Sequence, residues 1–226
     1  MPVSVSEPHR WRSMAAQTML CAALTAILLP GFALAQGLPN RNETSSEEPR
    51  AQAARLMNEL MSGKAAVGMP FTLANAYGKR VSLADFRGKL VLLYFGYTSC
   101  PDVCPTDLLA IAQTLKSLGK PGEQVQPLFV TLDPARDTPE VLRGYAAAFH
   151  PRLIALTGSE ENIRRVATAY KVFYEKVRIE RADLYLIDHA AFTFLLDRQG
   201  KYRLFFPPGT PPERMAVMVR EQLAAK

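Results

Sequence analysis

Two cysteines separated by three residues are the side chains in this sequence best suited to chemistry. Cys100 and Cys104 lie in the run Tyr-Thr-Ser-Cys-Pro-Asp-Val-Cys-Pro, residues 97–105, directly after the apolar stretch 90–95. Two thiols at a junction between a strand and a helix can form a reversible disulfide, or they can bind a soft metal ion. The pattern therefore indicates a redox site or a metal site.

Pro105 indicates where the helix after the first cysteine begins. Proline lacks a backbone N–H and is tolerated only in the first helical turn, so we expect a start between Cys104 and Thr106. Cys100 then lies in the preceding loop, and both sulfurs lie near the positive end of the helix dipole, which favours thiolates. Three intervening residues make a wide loop, and a metal held by two thiolates is expected to be Cu(I) or zinc.

A metal ion bound this way needs a third ligand, and the chain has three histidines. His9 belongs to the N-terminal leader, and His150 precedes Pro151 at the end of a predicted helix, where we expect it to cap carbonyl groups. His189 comes shortly before a strand predicted at residues 192–196. It is either a metal ligand beside the two thiols or an ordinary surface histidine in a turn.

The elements that position these residues alternate between strands and helices. This order, closed by a hairpin and a final helix, predicts an α/β thioredoxin-like fold with a mixed central sheet flanked by helices and an N-terminal β-hairpin extension. The predicted strands are residues 71–73, 80–83, 90–95, 125–132, 153–156, 192–196 and 202–206, with 172–179 extended; the predicted helices are 106–118, 139–149, 159–170 and one opened by a capping box at 210–213.

The segment before the strand at 192–196 also lacks a residue that disulfide enzymes of this fold use. Such enzymes place a cis-proline opposite their cysteines to orient the incoming chain. No proline occurs between Pro151 and Pro207, and Asp-His-Ala occupies residues 188–190 instead. An imidazole in place of a substrate-aligning proline favours a binding site over an exchange site.

Residues 1–35 have the features of a secretory signal peptide. Arg10 and Arg12 precede an apolar stretch at 19–29, and Ala-Leu-Ala at 33–35 offers a cleavage site. An uncleaved inner-membrane anchor is the alternative, because the apolar stretch counted on to residue 35 approaches the ~20 residues that a bilayer requires. Either reading predicts a periplasmic protein, in a compartment where disulfides persist.

The rest of the chain divides into a linker and one domain. Residues 36–66 are predicted as a polar linker and a short helix, and residues 67–226 as the folded domain. The net charge is +6, without the basic stripe interleaved with aromatic residues that nucleic-acid binding requires, so we expect no nucleic-acid partner. The short helix should pack on the domain through an apolar face rather than bind copper; that face consists of Leu56, Met57, Leu60 and Met61.

Four separate motifs resemble the Sco/SenC family. They are residues 94–105, Val-Thr-Leu-Asp-Pro at 130–134, Asp-Thr-Pro at 137–139, and Asp-His at 188–189, in a match that extends from about residue 67 to the C-terminus. The resemblance implies a thioredoxin-like copper metallochaperone. It also implies a role in assembling the dinuclear copper centre of cytochrome c oxidase subunit II.

The resemblance further implies which residues act. Cys100, Cys104 and His189 are the implied ligands of Cu(I), with Cu(II) as a second form. Asp133 is implied to be a carboxylate beside the site or an interaction residue, and its alternative is a turn former before Pro134. The implied partners are the subunit II copper site, other periplasmic copper carriers and a thiol reductant protein.

Two enzymatic alternatives remain. A thiol-disulfide oxidoreductase would use Cys100 as the attacking thiolate and Cys104 as the resolving thiol to reduce the cysteines of the acceptor. A peroxiredoxin-like peroxidase shares the fold, but no Pro-x-x-x-Thr-x-x-Cys arrangement ends at Cys100. The sequence therefore predicts a copper carrier first and a reductase second.

Overall fold

The computed structural model describes residue 55 and residues 57–62, 66–179 and 184–225. The predicted signal segment 1–35 and most of the predicted linker lie outside the described residues. The strands are β1 (Thr72–Asn75), β2 (Arg80–Ser82), β3 (Leu90–Gly96), β4 (Val125–Thr131), β5 (Ile154–Thr157), β6 (Tyr174–Arg178), β7 (Tyr185–His189), β8 (Thr193–Leu196) and β9 (Tyr202–Phe206); the helices after residue 66 are α1 (Val103–Leu118), α2 (Pro139–Phe149), α3 (Glu160–Ala169) and α4 (Pro212–Ala224).

A seven-stranded mixed sheet in the order β2-β1-β5-β4-β3-β8-β9 forms the centre of the domain. Strands β3, β4 and β5 are parallel, whereas β8 pairs antiparallel with β3, and β1 pairs antiparallel with both β2 and β5. Every residue of β3 and β4 is buried, as expected for strands with both faces covered. The predicted mixed central sheet flanked by helices is confirmed.

The local signals for helix ends gave mixed results. Helix α1 begins at Val103, one residue before the predicted limit, and places Pro105 in the first turn, where no N–H is needed. Helix α2 begins as predicted, with the Thr138 hydroxyl accepting the Val141 N–H. The capping box at 210–213 is wrong, because the Thr210 hydroxyl donates to the Pro207 carbonyl and α4 begins after Pro211 without a side-chain cap.

A second sheet lies beside the main one. Strands β6 and β7 pair antiparallel as a two-stranded ribbon, in which Tyr174 is opposite His189. The sequence predicted only the extended segment at 172–179, and it left His189 in a loop. The ribbon therefore places this histidine at the end of a strand, which fixes its backbone more firmly than a turn would.

The short helical segment through residues 57–61 contacts the domain through Leu60, whereas Leu56 of the predicted apolar face lies outside the described residues. Leu60 is buried, and its carbonyl accepts a hydrogen bond from the Tyr202 hydroxyl. Met57 and Met61 are exposed, so the prediction that both methionines pack on the domain is wrong; the segment contacts the domain along a narrower strip than its composition suggested. Within the described ranges, no helix has the length and the apolar run needed to cross a membrane.

Candidate metal and thiol site

The two cysteines lie together at the N-terminus of α1. Cys100 is in the loop that leaves β3, and Cys104 is in the first turn of α1, where its backbone N–H donates to Cys100 Sγ at 3.4 Å. Both are free thiols. Cys104 is completely buried, whereas Cys100 is 9% exposed. Only the sulfur of Cys100 is therefore open to a reacting partner.

Gly96 makes room for the second sulfur. A Cβ atom at this position, the last residue of β3, would lie 2.8 Å from Cys104 Sγ, which is closer than real Cβ contacts allow. The absence of a side chain therefore lets α1 bring its sulfur against the central strand. The sequence showed this glycine, but only the packing reveals what it accommodates.

His189 reaches the sulfurs from the ribbon. Its Nε2 lies 3.7 Å from Cys104 Sγ, and the edge of its ring packs against Tyr97 with the ring centroids 5.9 Å apart. Its Nδ1 is 3.3 Å from the Ile187 carbonyl oxygen. When Nδ1 carries the ring proton it donates to this carbonyl, and the lone pair of Nε2 then faces the thiols.

The separation between sulfur and nitrogen fits two atoms that share an ion. A metal about 2.3 Å from a thiolate and about 2.0 Å from an imidazole, at angles of about 110–120°, holds the two atoms roughly 3.5–3.7 Å apart. The Cys104–His189 distance of 3.7 Å falls in this range. As placed, no three His, Cys, Asp or Glu side chains among the described residues form a closed ligand set, so a complete site needs a side-chain rotation.

The pKa values of the two thiols are shifted in opposite directions. The hydrogen bond with the Cys104 thiol is the main cause that lowers the pKa of Cys100 to about 5, and backbone N–H groups of Asp102 and Cys104 act in the same direction against burial. The same contact, together with burial, raises the pKa of Cys104 above that of an ordinary thiol. Cys100 is therefore the thiolate of the reduced pair, and Cys104 holds the shared proton.

This asymmetry predicts the pH dependence of thiolate absorbance. Because the pKa of Cys100 is lowered to about 5, the folded reduced protein should keep one thiolate at neutral pH and lose it as the pH falls through about 5. Cys104→Ala removes the main cause and should move the transition to higher pH. Ultraviolet absorbance of the thiolate, recorded against pH, measures both proteins. A wild-type transition near ~8.5, the value of an unperturbed thiol, would contradict the assignment.

Asp133 contacts the ribbon rather than the sulfurs. It is fully buried and accepts hydrogen bonds from the Tyr185 hydroxyl, at 2.8 Å, and from the Arg136 guanidinium. Arg136 also donates to the Tyr185 carbonyl and lies 3.7 Å from the centre of the Tyr185 ring. Since Tyr185 begins the strand that ends at His189, Asp133 anchors the ribbon that carries the imidazole.

Asp137 holds the loop that carries the cysteines. Its carboxylate accepts the Thr98 hydroxyl at 2.6 Å, the Thr98 backbone N–H at 3.1 Å and the Thr131 hydroxyl at 2.5 Å. Burial raises the pKa of Asp137, and these hydrogen bonds oppose the rise. The segment after β4 therefore fastens the cysteine loop through Asp137 and the histidine ribbon through Asp133. Asp137 belongs to the Asp-Thr-Pro motif at 137–139, and no role was predicted for it from the sequence.

A surface cavity of about 430 Å³ opens beside the thiols and the imidazole. The cysteine loop contributes Cys100 and Pro101, the start of α1 contributes Val103, and the ribbon contributes Leu186 and His189. His150, by contrast, is at the C-terminus of α2, where its Nδ1 accepts the Arg152 N–H instead of capping carbonyls with its side chain. The structure thus brings His189 to the cysteines and leaves His150 at a helix end.

Comparisons with known proteins identify several relatives of this chain. An SCO2-like protein of Rickettsia prowazekii is 42% identical over 163 residues, which cover 72% of this chain and 79% of that protein. The structure of Arabidopsis thaliana ScoI with copper bound has a TM-score of 0.66 and 36% identity, covering 70% of this chain and 98% of that one.

A third relative is BsSco, described as a member of the Sco family of cytochrome c oxidase assembly proteins with a disulfide switch. It has a TM-score of 0.57 and 25% identity, covering 71% of this chain and 96% of its own. A model of the SCO1/SenC family matches residues 59–224, which include β1 to β9 and the thiols and imidazole described above. This chain belongs to the SCO1/SenC family.

Proposed function

We propose that this protein is a periplasmic copper metallochaperone whose ligands are Cys100, Cys104 and His189. The observation that carries the proposal is the 3.7 Å distance between His189 Nε2 and Cys104 Sγ, beside Cys100, which is already a thiolate. Two thiolates and an imidazole suit Cu(I), because soft sulfur ligands select this ion. The copper-bound structure of a relative supports the same cargo. Cu(II) would recruit a further oxygen ligand.

The exposure of the donors suits transfer rather than storage. Cys100 and His189 line the surface cavity, whereas Cys104 is buried beneath them. An incoming carrier or acceptor can therefore exchange ligands at Cys100 while Cys104 still holds the ion. The description of BsSco supports an acceptor in cytochrome c oxidase, for which we propose the dinuclear copper centre of subunit II. Other periplasmic copper carriers would supply the ion.

The proposed compartment rests on the sequence of the leader. Residues 1–35 have the charge, apolar stretch and small residues of a secretory signal, which would export the chain to the periplasm. An uncleaved leader would tether the domain to the inner membrane. N-terminal sequencing of the protein recovered from the periplasm tests cleavage after residue 35.

His189→Ala should weaken Cu(I) binding at least about 100-fold, because losing even an outer hydrogen-bond partner of a metal ligand costs roughly 10–100-fold. The measurement is an anaerobic Cu(I) titration against a strong chelator. His150→Ala is the matched control, since its Nδ1 is occupied at the end of α2, and should bind as the wild type does. Undiminished binding by His189→Ala would remove the imidazole from the proposed site.

A second function, thiol-disulfide reduction, is favoured by the unequal pKa values of the two thiols. The Cys100 thiolate would attack an acceptor disulfide to form a mixed disulfide. Cys104, on losing its proton, would then displace the acceptor, which leaves with two thiols. The chain ends as a Cys100–Cys104 disulfide, and a thiol reductant protein restores the dithiol. Copper binding requires that dithiol, so the pair would act as a redox switch.

One assay separates the two functions. If reduction is the main function, His189→Ala retains reductase activity towards a disulfide peptide, whereas Cys100→Ser or Cys104→Ser abolishes it. If copper delivery is the main function, His189→Ala loses copper transfer to an acceptor peptide even when both thiols are reduced. The free-thiol content of each sample, measured in parallel, keeps oxidation from being mistaken for loss of a ligand.

A further inference from the structure

Two buried polar groups behind Cys104, the Tyr94 hydroxyl and the Oδ2 atom of Asp107, make no hydrogen bond of normal geometry within the described structure. The Tyr94 hydroxyl nevertheless lies within reach of both the Cys104 sulfur and the Asp107 carboxyl group. Tyr94 is 0% exposed and Asp107 is 4% exposed, so water cannot satisfy either group freely. Asp107 Oδ1 is bonded to the Gly209 N–H at 2.9 Å, which fixes the carboxyl group in place. Buried groups of this kind are rare and often serve a function.

The Tyr94 side chain lies beside the buried sulfur. Tyr94 and Gly96 lie on the same face of β3, and a Cβ at Gly96 would contact both Cys104 Sγ, at 2.8 Å, and Tyr94 Cε1, at 3.0 Å. The tyrosine ring and the sulfur therefore meet over this glycine. Burial raises the pKa of Tyr94, and the neighbouring Cys104 and Asp107 add to the rise, so the hydroxyl keeps its proton beside both groups.

A thiolate at Cys104 is stabilised by each hydrogen-bond donor that reaches its buried sulfur. Copper binds thiolates, so loading places negative charge on a sulfur with no exposure to water. A buried charge without a donor costs far more than one that is hydrogen-bonded. The backbone N–H of Cys104 is already directed at Cys100, and His189 would bond the metal itself. The Tyr97 backbone N–H acts on the Cys104 sulfur, and the Tyr94 hydroxyl is the side-chain donor beside it.

We propose that Tyr94 is a positioning residue whose hydroxyl donates a hydrogen bond to the Cys104 thiolate of the copper-loaded protein. While Cys104 is a thiol, the hydroxyl hydrogen turns to Asp107 Oδ2; when the thiol proton leaves for solvent on loading, the hydrogen turns to the sulfur. The two arrangements differ by rotation about one C–O bond. This inference rests on the proposed copper function and adds to it a residue behind the three ligands.

Tyr94→Phe should lower Cu(I) affinity about tenfold or more, because hydrogen bonds to charged groups are among the stronger ones in proteins. It should also move the thiolate-to-copper charge-transfer band of the Cu(II) form to lower energy, since a sulfur without the donor releases electrons more readily. The control is Tyr170→Phe, which removes another fully buried and unpartnered hydroxyl whose pKa is raised by burial alone. This control should change neither quantity.

The outcomes separate this inference from the copper function. Unchanged affinity and band position in Tyr94→Phe, or equal changes in Tyr170→Phe, would overturn the role of Tyr94 and leave copper binding intact. Wild-type protein that binds no Cu(I) would instead reject the proposed function. Asp107→Asn gives an independent arm: its amide can donate to the Tyr94 oxygen and direct the hydroxyl to sulfur, so affinity should equal or exceed the wild type. A tenfold loss in that variant would count against the proposal.

Discussion

Cys104→Ser is expected to lower Cu(I) affinity at least about 1,000-fold, well beyond the roughly 10–100-fold cost of an outer-shell change. The hydroxyl that replaces the thiol is a hard ligand that stays protonated, so the ion loses both a soft donor and a negative charge. The sulfur is fully buried, so water has little access to replace it as a ligand. A chelator competition under anaerobic conditions measures the change.

Ser159→Ala is a suitable control for that substitution. It changes the cap of α3, where the hydroxyl accepts the Asn162 N–H, and it should reduce stability slightly without altering copper affinity. Cu(I) affinity within tenfold of the wild type in Cys104→Ser would mean that the buried sulfur is not a ligand. Cys100 would then have to hold the ion with His189 alone.

Gly96→Ala is expected to disturb both the fold and the site. The added methyl group would lie 2.8 Å from Cys104 Sγ and 3.0 Å from Tyr94 Cε1 within a buried strand, so the sulfur must move. Overpacking of this kind costs about 1–3 kcal/mol in the free energy of unfolding. A displaced sulfur should also lose the contact with His189, and Cu(I) affinity should fall at least about tenfold.

Gly144→Ala provides the matched control for that experiment. Gly144 lies within α2, and a Cβ there would meet nothing within 4 Å. Alanine in a helix interior is preferred to glycine by about 0.5–1 kcal/mol, so this variant should be as stable as the wild type or more so. Urea unfolding and Cu(I) titration of both variants test the contrast. Equal stability and equal affinity in Gly96→Ala would show that the sulfur does not require this space.

Much of the fold is predictable because its signals are local. The continuous apolar run at β3, the position of Pro105 and the cap at Thr138 each act through neighbouring atoms in the chain. The ribbon of β6 and β7 is different, since it joins two mostly exposed segments whose residues alternate poorly in polarity. Tyr185, at the start of β7, is held by Asp133 and Arg136, a long-range contact that leaves no periodic pattern in the sequence.

The same distinction applies to the site. The cysteine spacing and the histidine before β8 are visible in the sequence, and resemblance to the family connects them. The roles of Gly96, Asp137 and Tyr94 arise only when α1, β3 and the segment after β4 meet in space. The capping box predicted at 210–213 failed for a different reason. The local pattern is present, but the Thr210 hydroxyl donates to the Pro207 carbonyl in the preceding turn instead of capping the helix.

X-ray absorption at the copper edge of the Cu(I)-loaded, fully reduced protein would test most directly whether one ion is shared by the sulfurs of Cys100 and Cys104 and the ring nitrogen of His189. We expect two sulfur atoms and one imidazole nitrogen around the copper, with the nitrogen contribution absent from His189→Ala. A spectrum with sulfur neighbours alone, identical in the wild type and that variant, would contradict the shared site and leave the dithiol with a redox function.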